Sequence, residues 1–124
     1  MAKILIVEDD EKINRVLTLQ LRLEGYEVET SFSGEECLNK VKSFQPHLLI
    51  LDYLLPDCRG FEIVEKLRSD RRFALLPLIL LTGIDEDQLE LEVNPEEGIH
   101  LLAKPFESGD LLQLIRTALS SSRY

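Results

Sequence analysis

The sequence predicts an α/β fold, a five-stranded parallel sheet with helices on both faces. Three observations predict it. Apolar runs of strand length alternate with stretches of helical periodicity along the whole 124 residues. The inner runs are continuously apolar, as strands covered on both faces must be. Four of the five runs also give way abruptly to polar residues, as strands that end at a solvent-filled crevice should.

The elements follow in order. Lys3–Val7 (KILIV) is the first strand, and the acidic Glu8-Asp9-Asp10-Glu11 after it cannot be core. Ile13, Val16, Leu17 and Leu21 recur at helical spacing, and Gly25 stops that helix. Tyr26–Thr30 alternates as an edge strand would. Ser33-Gly34-Glu35-Glu36 has the form of a capping box, with Cys37, Leu38 and Val41 on the helix face behind it. Leu48–Leu51 is the third strand and stops at Asp52. Pro56 and Gly60 punctuate a loop, and Phe61, Val64 and Leu67 mark a third helix. Pro77 introduces the strand Leu78–Leu81, which ends at Thr82-Gly83. Residues 85–97 hold seven acids, no base and Pro95, so a fourth helix there is expected to be short. Ile99–Leu102 is the last strand, followed by Lys104-Pro105. Ser108 is the expected N-cap of a fifth helix with Leu111, Leu112, Ile115, Ala118 and Leu119 as its buried stripe.

Composition narrows the function classes. Hydrophobic residues make up 44% and charged residues 30%, the balance of a globular chain with one core. The longest apolar stretch, Phe73–Leu81, is nine residues broken by Pro77, far below the roughly 18 a membrane span needs. Fourteen basic against 23 acidic residues give a net charge of −9, which argues against a nucleic-acid-binding surface on this domain. Cys37 and Cys58 are too few for a disulfide scaffold and match no zinc spacing. His47 and His100 lack metal-spaced partners and read as strand-end residues. The opening residues carry no secretory pattern, so a cytoplasmic setting is expected. Ser120-Ser121-Ser122 opens a stretch, 120–124, that reads as a tail or the start of a linker.

In a parallel sheet the polar residues that follow the strands converge on one edge. Glu8 and Asp9 follow the first strand, Asp52 the third, Thr82 the fourth and Lys104 the fifth. Two like charges about 4 Å apart repel by about 4 kcal/mol at an effective dielectric of 20. A hard divalent cation such as Mg²⁺ relieves that repulsion. Lys104 brings a point charge suited to a phosphoryl or carboxylate oxygen, and Thr82 a hydroxyl donor. Gly83 leaves room beside it. A carboxylate nucleophile, a cation and two donors are the parts that phosphoryl transfer requires. Asp10 and Glu11 read instead as a solvated helix start.

In this constellation the chain resembles the receiver domain of two-component response regulators, the CheY-like family. The resemblance spans essentially residues 1–124 and rests on ILIVEDD, LLILDYLLPDCRG, LLTG and AKPF. Asp52 to Thr82 is 30 residues and Thr82 to Lys104 is 22, spacings that fit the family. It implies a flavodoxin-like (βα)5 sheet of strand order 2-1-3-4-5. It also implies that Asp52 is the phosphoacceptor, taking a phosphoryl group from a phosphohistidine of a histidine kinase or histidine phosphotransfer protein. Asp9, Asp52 and the main-chain carbonyl of Leu54 would ligate Mg²⁺ directly, with Glu8 acting mainly through a bound water. Thr82 and Lys104 would hold the phosphoryl oxygens. An output domain or partner protein, unspecified by the sequence, would read the resulting change of shape. Lys104-Pro105 is similar to the family's cis pair.

Three positions depart from the family pattern. Leu101 stands where the family usually has an aromatic switch residue. Leu54 and Ile84, two residues after Asp52 and Thr82, are apolar where family members can orient the water that hydrolyses the acyl phosphate. A slowly decaying aspartyl phosphate is therefore expected. Two other functions remain open on the sequence. One is a pseudo-receiver that binds partners without phosphorylation. The other is a Mg²⁺-dependent α/β phosphatase, although Leu54 occupies the place where a second acid would serve and no nucleotide-phosphate loop is present.

Overall fold

A computed structural model describes residues 1–89 and 97–120. Its strands are β1 (Lys3–Val7), β2 (Glu27–Ser31), β3 (Leu48–Asp52), β4 (Leu78–Thr82) and β5 (Ile99–Ala103). All pair in parallel, in the order 2-1-3-4-5. The helices are α1 (Glu11–Leu23), α2 (Gly34–Phe44), α3 (Gly60–Arg68) and α4 (Ser108–Ser120). Only a short 3₁₀ turn, Glu86–Gln88, is described in the segment expected to hold a further helix. Residues 90–96, with Pro95, lie outside the described residues, as do 121–124 of the expected tail.

Strand alternation explains the continuous apolar runs. Leu5, Val7, Leu49, Leu51, Leu78 and Leu80 face one way and pack with Cys37 and Val41 of α2 and Ile63, Val64 and Leu67 of α3. Ile4, Ile6, Leu48, Ile50, Ile79 and Leu81 face the other way, onto Leu17 and Leu21 of α1 and Leu111, Ile115 and Ala118 of α4. Every residue of β3 and β4 is buried, because helices cover both faces.

Three local expectations are corrected. The buried stripe of α1 is Asn14, Leu17, Thr18 and Leu21, so Val16 faces solvent at 53% exposure. Ser108 is the first residue of α4 rather than its cap. The preceding Glu107 carbonyl accepts from the N–H groups of Asp110 and Leu111, and the Ser108 hydroxyl instead receives Gln20 Nε2 at 2.7 Å. His100 is not at a strand end but is the second residue of β5, buried, with its imidazole held below its usual pKa by that burial. His47 does sit at the entry to β3, where Nδ1 accepts from the Lys3 N–H. Gly25, at φ 95°, ends α1 in the left-handed conformation that favours glycine.

Candidate functional site

The site is assembled at the carboxyl edge of the sheet. Glu8 leaves β1 with its N–H on the Ser31 carbonyl at 3.1 Å, extending the β1–β2 ladder by one residue. Asp10 then caps α1, its carboxylate accepting from the N–H groups of Lys12 and Ile13. With Glu11 in the first turn, these two acids have the helix-start role expected of them. The chain reversal leaves Glu8 buried at 1% exposure, while Asp9 stays exposed.

Asp52, the last residue of β3, pairs with Leu81 of β4, and Thr82 pairs with Ala103 of β5. The ladder continues when the Lys104 N–H donates to the Thr82 carbonyl at 2.8 Å. The peptide that follows, Lys104–Pro105, is cis, as the resemblance implied. Its Nζ lies 2.8 Å from Glu8 Oε1 and 3.3 Å from Asp52 Oδ2.

One carboxylate oxygen each of Glu8, Asp9 and Asp52 lie within 4.8 Å of one another. Three carboxylates against one ammonium leave a negative surplus, and the titration behaviour follows. Burial, then the hydrogen bond with Asp52, pushes the Glu8 carboxyl up against the opposing pull of Lys104. Burial and the neighbouring Glu8 raise Asp9 as well. For Lys104, burial lowers its pKa, but the bond to Glu8 and the Asp52 charge outweigh it and the net shift is upward. The donors are all hard oxygens, and the surplus matches a divalent cation, so the residues fit Mg²⁺.

The sign of these shifts yields a prediction. Carboxyls raised in the folded state contribute stability at low pH, and that stability is lost as pH rises through their folded values. A bound divalent cation offsets the loss. The gain in thermal midpoint produced by Mg²⁺ is therefore expected to be larger at pH 8 than at pH 5, which a pair of melting series will check. An equal or smaller gain at pH 8 contradicts the electrostatic account.

Thr82 is buried, and its Oγ1 accepts from the Ile84 N–H at 3.0 Å; an accepting hydroxyl can still donate its own hydrogen. At Gly83 an added Cβ would meet nothing within 4 Å, so the space at that position is open. Leu54 is 53% exposed, with its N–H on Asp52 Oδ1 at 3.4 Å. Leu101 is half-buried against the core on the α2–α3 side of the sheet. Glu8, Asp9 and Asp52 are thus clustered, Lys104 is paired with Glu8 and Asp52, and Thr82 and Leu54 lie on the adjoining main chain.

Sequence reasoning missed Asn14. It is buried in α1, and its Nδ2 donates to the Glu8 carbonyl at 3.0 Å and the Ser31 carbonyl at 3.4 Å. It ties the acidic loop to the end of β2. The available signal was a polar residue in register with Leu17 and Leu21 on the buried face of the helix.

A family model described as the response regulator receiver domain matches residues 4–116. The phosphate regulon transcriptional regulatory protein PhoB of Rhizobium meliloti is 31% identical over 123 residues, 99% of this chain and 54% of its own length. Among solved structures, the chemotaxis response regulator CheY4 of Vibrio cholerae superposes with a TM-score of 0.85 at 32% identity, covering 96% of this chain and 99% of that one. The response regulator TrrA of Thermotoga maritima, in complex with Mg²⁺-BeF, gives 0.83 at 30% identity, over 96% of this chain and 100% of that one. The chain spans about half the length of the curated regulator PhoB that it matches.

Proposed function

The chain belongs to the response regulator receiver domain family, a family of two-component signalling domains rather than of catalytic enzymes, and from that premise we propose that it is a phosphorylation-dependent switch with Asp52 as phosphoacceptor. The observation that carries this reading is the meeting of Glu8, Asp9 and Asp52 within 4.8 Å, with Lys104 bonded to two of them.

The Asp52 carboxylate attacks the phosphorus of a phosphohistidine on a histidine kinase or histidine phosphotransfer protein. An O–P bond forms, the N–P bond breaks, and the imidazole leaves with the electron pair and takes up a proton. Lys104, already 3.3 Å from Asp52, and the O–H of Thr82 hold the phosphoryl oxygens. Asp9, Asp52 and the Leu54 carbonyl would hold Mg²⁺, with Glu8 binding through water. The ion supplies charge neutralisation at the transferring group. The Mg²⁺-BeF complex of TrrA supports this choice of metal. In this reading residues 1–124 form one receiver unit, with 120–124 as tail or linker. The change is read by an output domain or partner protein, in a cytoplasmic setting.

Incubation with acetyl phosphate and Mg²⁺ tests the proposal. One stable modification per chain, dependent on Mg²⁺, supports it. Steady release of phosphate points to a phosphatase, and no response to a pseudo-receiver. A second expectation concerns lifetime. Leu54 and Ile84 flank the site, and neither side chain can hydrogen-bond an attacking water. Leu54→Asn and Ile84→Glu are each expected to speed decay of the phosphoprotein several-fold. Unchanged decay in both variants removes the argument.

A further inference from the structure

The loop that carries Leu54 is more constrained than its exposure suggests. Leu54 and Arg59 form an antiparallel bridge, the Leu55 N–H donates to the Cys58 carbonyl at 3.0 Å, and the Gly60 N–H closes the base on the Tyr53 carbonyl. The loop is a small hairpin, and Asp57 stands at its tip. Its two carboxylate oxygens accept from successive N–H groups at the start of α2, Oδ1 from Gly34 at 2.8 Å and Oδ2 from Glu35 at 3.0 Å. The next two donors of that helix, Glu36 and Cys37, go to the hydroxyl and carbonyl of Ser33. The Cys37 bond is the first of the helical ladder, so the three helical donors without a helical carbonyl, Gly34, Glu35 and Glu36, are all satisfied, two of them by a residue 23 positions from Gly34 in sequence.

A second observation locates the same contact. A Cβ on Gly34 would run into Cys58 Sγ and approach Ile63 Cδ1 at 2.9 Å, so the loop rests directly on α2 there. Asp57 is also held below its ordinary pKa by the Gly34 and Glu35 N–H groups, as a carboxylate that stays charged at this contact should be.

We propose that Asp57 is a positioning residue for the phosphoacceptor loop: by clamping the hairpin tip to the N-terminus of α2 it fixes the main chain at Leu54, and so sets the affinity of the site for Mg²⁺. This deepens the reading above and rests on the Leu54 carbonyl serving as a metal ligand. Leu54 lies three residues from the clamp, inside a two-rung hairpin, so freedom at the tip is passed to its peptide group. Losing an outer partner of a metal ligand typically lowers affinity 10- to 100-fold.

The test is Mg²⁺ titration followed by the amide resonances of Tyr53 and Leu54, in about 1 M KCl, where the screening length is only about 3 Å and the lost charge acts little at range. Asp57→Ala is expected to weaken Mg²⁺ binding roughly tenfold and to speed amide hydrogen exchange at Leu55. Asp57→Asn, which keeps one acceptor, is expected to lose roughly threefold. It also serves in place of the alanine variant if that one fails to fold. Ser33→Ala removes a cap from the same helix without touching the loop, and should lower the melting temperature while leaving Mg²⁺ affinity within about twofold. Unaltered affinity in Asp57→Ala overturns the inference. So does equal weakening in Ser33→Ala, which would make the role merely structural, or in Asp57→Asn, which would make it one of charge alone. If the unaltered protein fails to bind Mg²⁺, the reading of the site itself falls, and the inference with it.

Discussion

Asp52→Asn is expected to abolish modification by acetyl phosphate completely, and to do so without unfolding the protein. The amide has nearly the volume of the carboxylate and keeps an acceptor for the Leu54 N–H, but it is no nucleophile toward phosphorus. Stability should hold or rise by about 1 kcal/mol, because the substitution removes one of three like charges beside Glu8. Removing the Asp52 charge also takes away part of what raises Glu8. The Mg²⁺-free variant should therefore lose less stability between pH 5 and pH 8 than the unaltered protein. Intact-mass measurement after acetyl phosphate treatment, beside urea unfolding at the two pH values, checks both parts. Residual modification at the level of the unaltered protein would move the phosphoacceptor elsewhere.

Lys104→Met has the second large expected effect, and it acts on stability as well as on chemistry. Lys104 is the only cation within ion-pair reach of Glu8 and Asp52 among the described residues. Breaking a buried pair by removing one partner costs about 3–5 kcal/mol. Lys104 keeps a quarter of its side chain in solvent, so about 2–3 kcal/mol is the appropriate expectation at pH 7.5 without Mg²⁺. The deficit should shrink as pH falls, since protonating Glu8 removes the charge left unpaired, and Mg²⁺ should restore part of it at neutral pH. Phosphorylation should slow strongly even when Mg²⁺ has restored the fold, because the phosphoryl oxygens have lost their ammonium partner. Denaturant unfolding with and without Mg²⁺ checks the stability part. A variant as stable as the unaltered protein at pH 7.5 without Mg²⁺ contradicts it.

The parts of the molecule legible in the sequence are those written in local patterns. β1, β3 and β4 read as continuous apolar runs because helices cover them on both sides, and that double burial also identified the sheet as parallel. The residues at the ends of β1, β3, β4 and β5 were legible as a group because a parallel sheet delivers them to one edge. Glu8, Asp9, Asp52 and Lys104 do meet there.

What was not legible depends on partners far away in the chain. Asn14 reads as an ordinary polar helix residue until its amide is seen on two carbonyls at the ends of β1 and β2. Asp57 reads as a turn residue after Pro56, and nothing local shows that it caps a helix 23 residues earlier. Val16 reads as part of the buried face because its side chain is apolar. The structure gives that face to Asn14 and Thr18, whose side-chain hydrogen bonds are satisfied there, with Thr18 Oγ1 donating to the Asn14 carbonyl at 2.7 Å. His100 likewise reads as a strand-end polar residue, but it is buried within β5, where burial lowers its pKa.

The central claim is that segments separated by up to 96 positions form one phosphoacceptor pocket. A crystal structure of the protein with Mg²⁺ and beryllofluoride tests it most directly. The expected result is beryllium bonded to a carboxylate oxygen of Asp52, fluorines within hydrogen-bond reach of Thr82 Oγ1 and Lys104 Nζ, and the metal on Asp9, Asp52 and the Leu54 carbonyl. Beryllofluoride seated on any other carboxylate, or a metal bound away from Asp9 and Asp52, would contradict it.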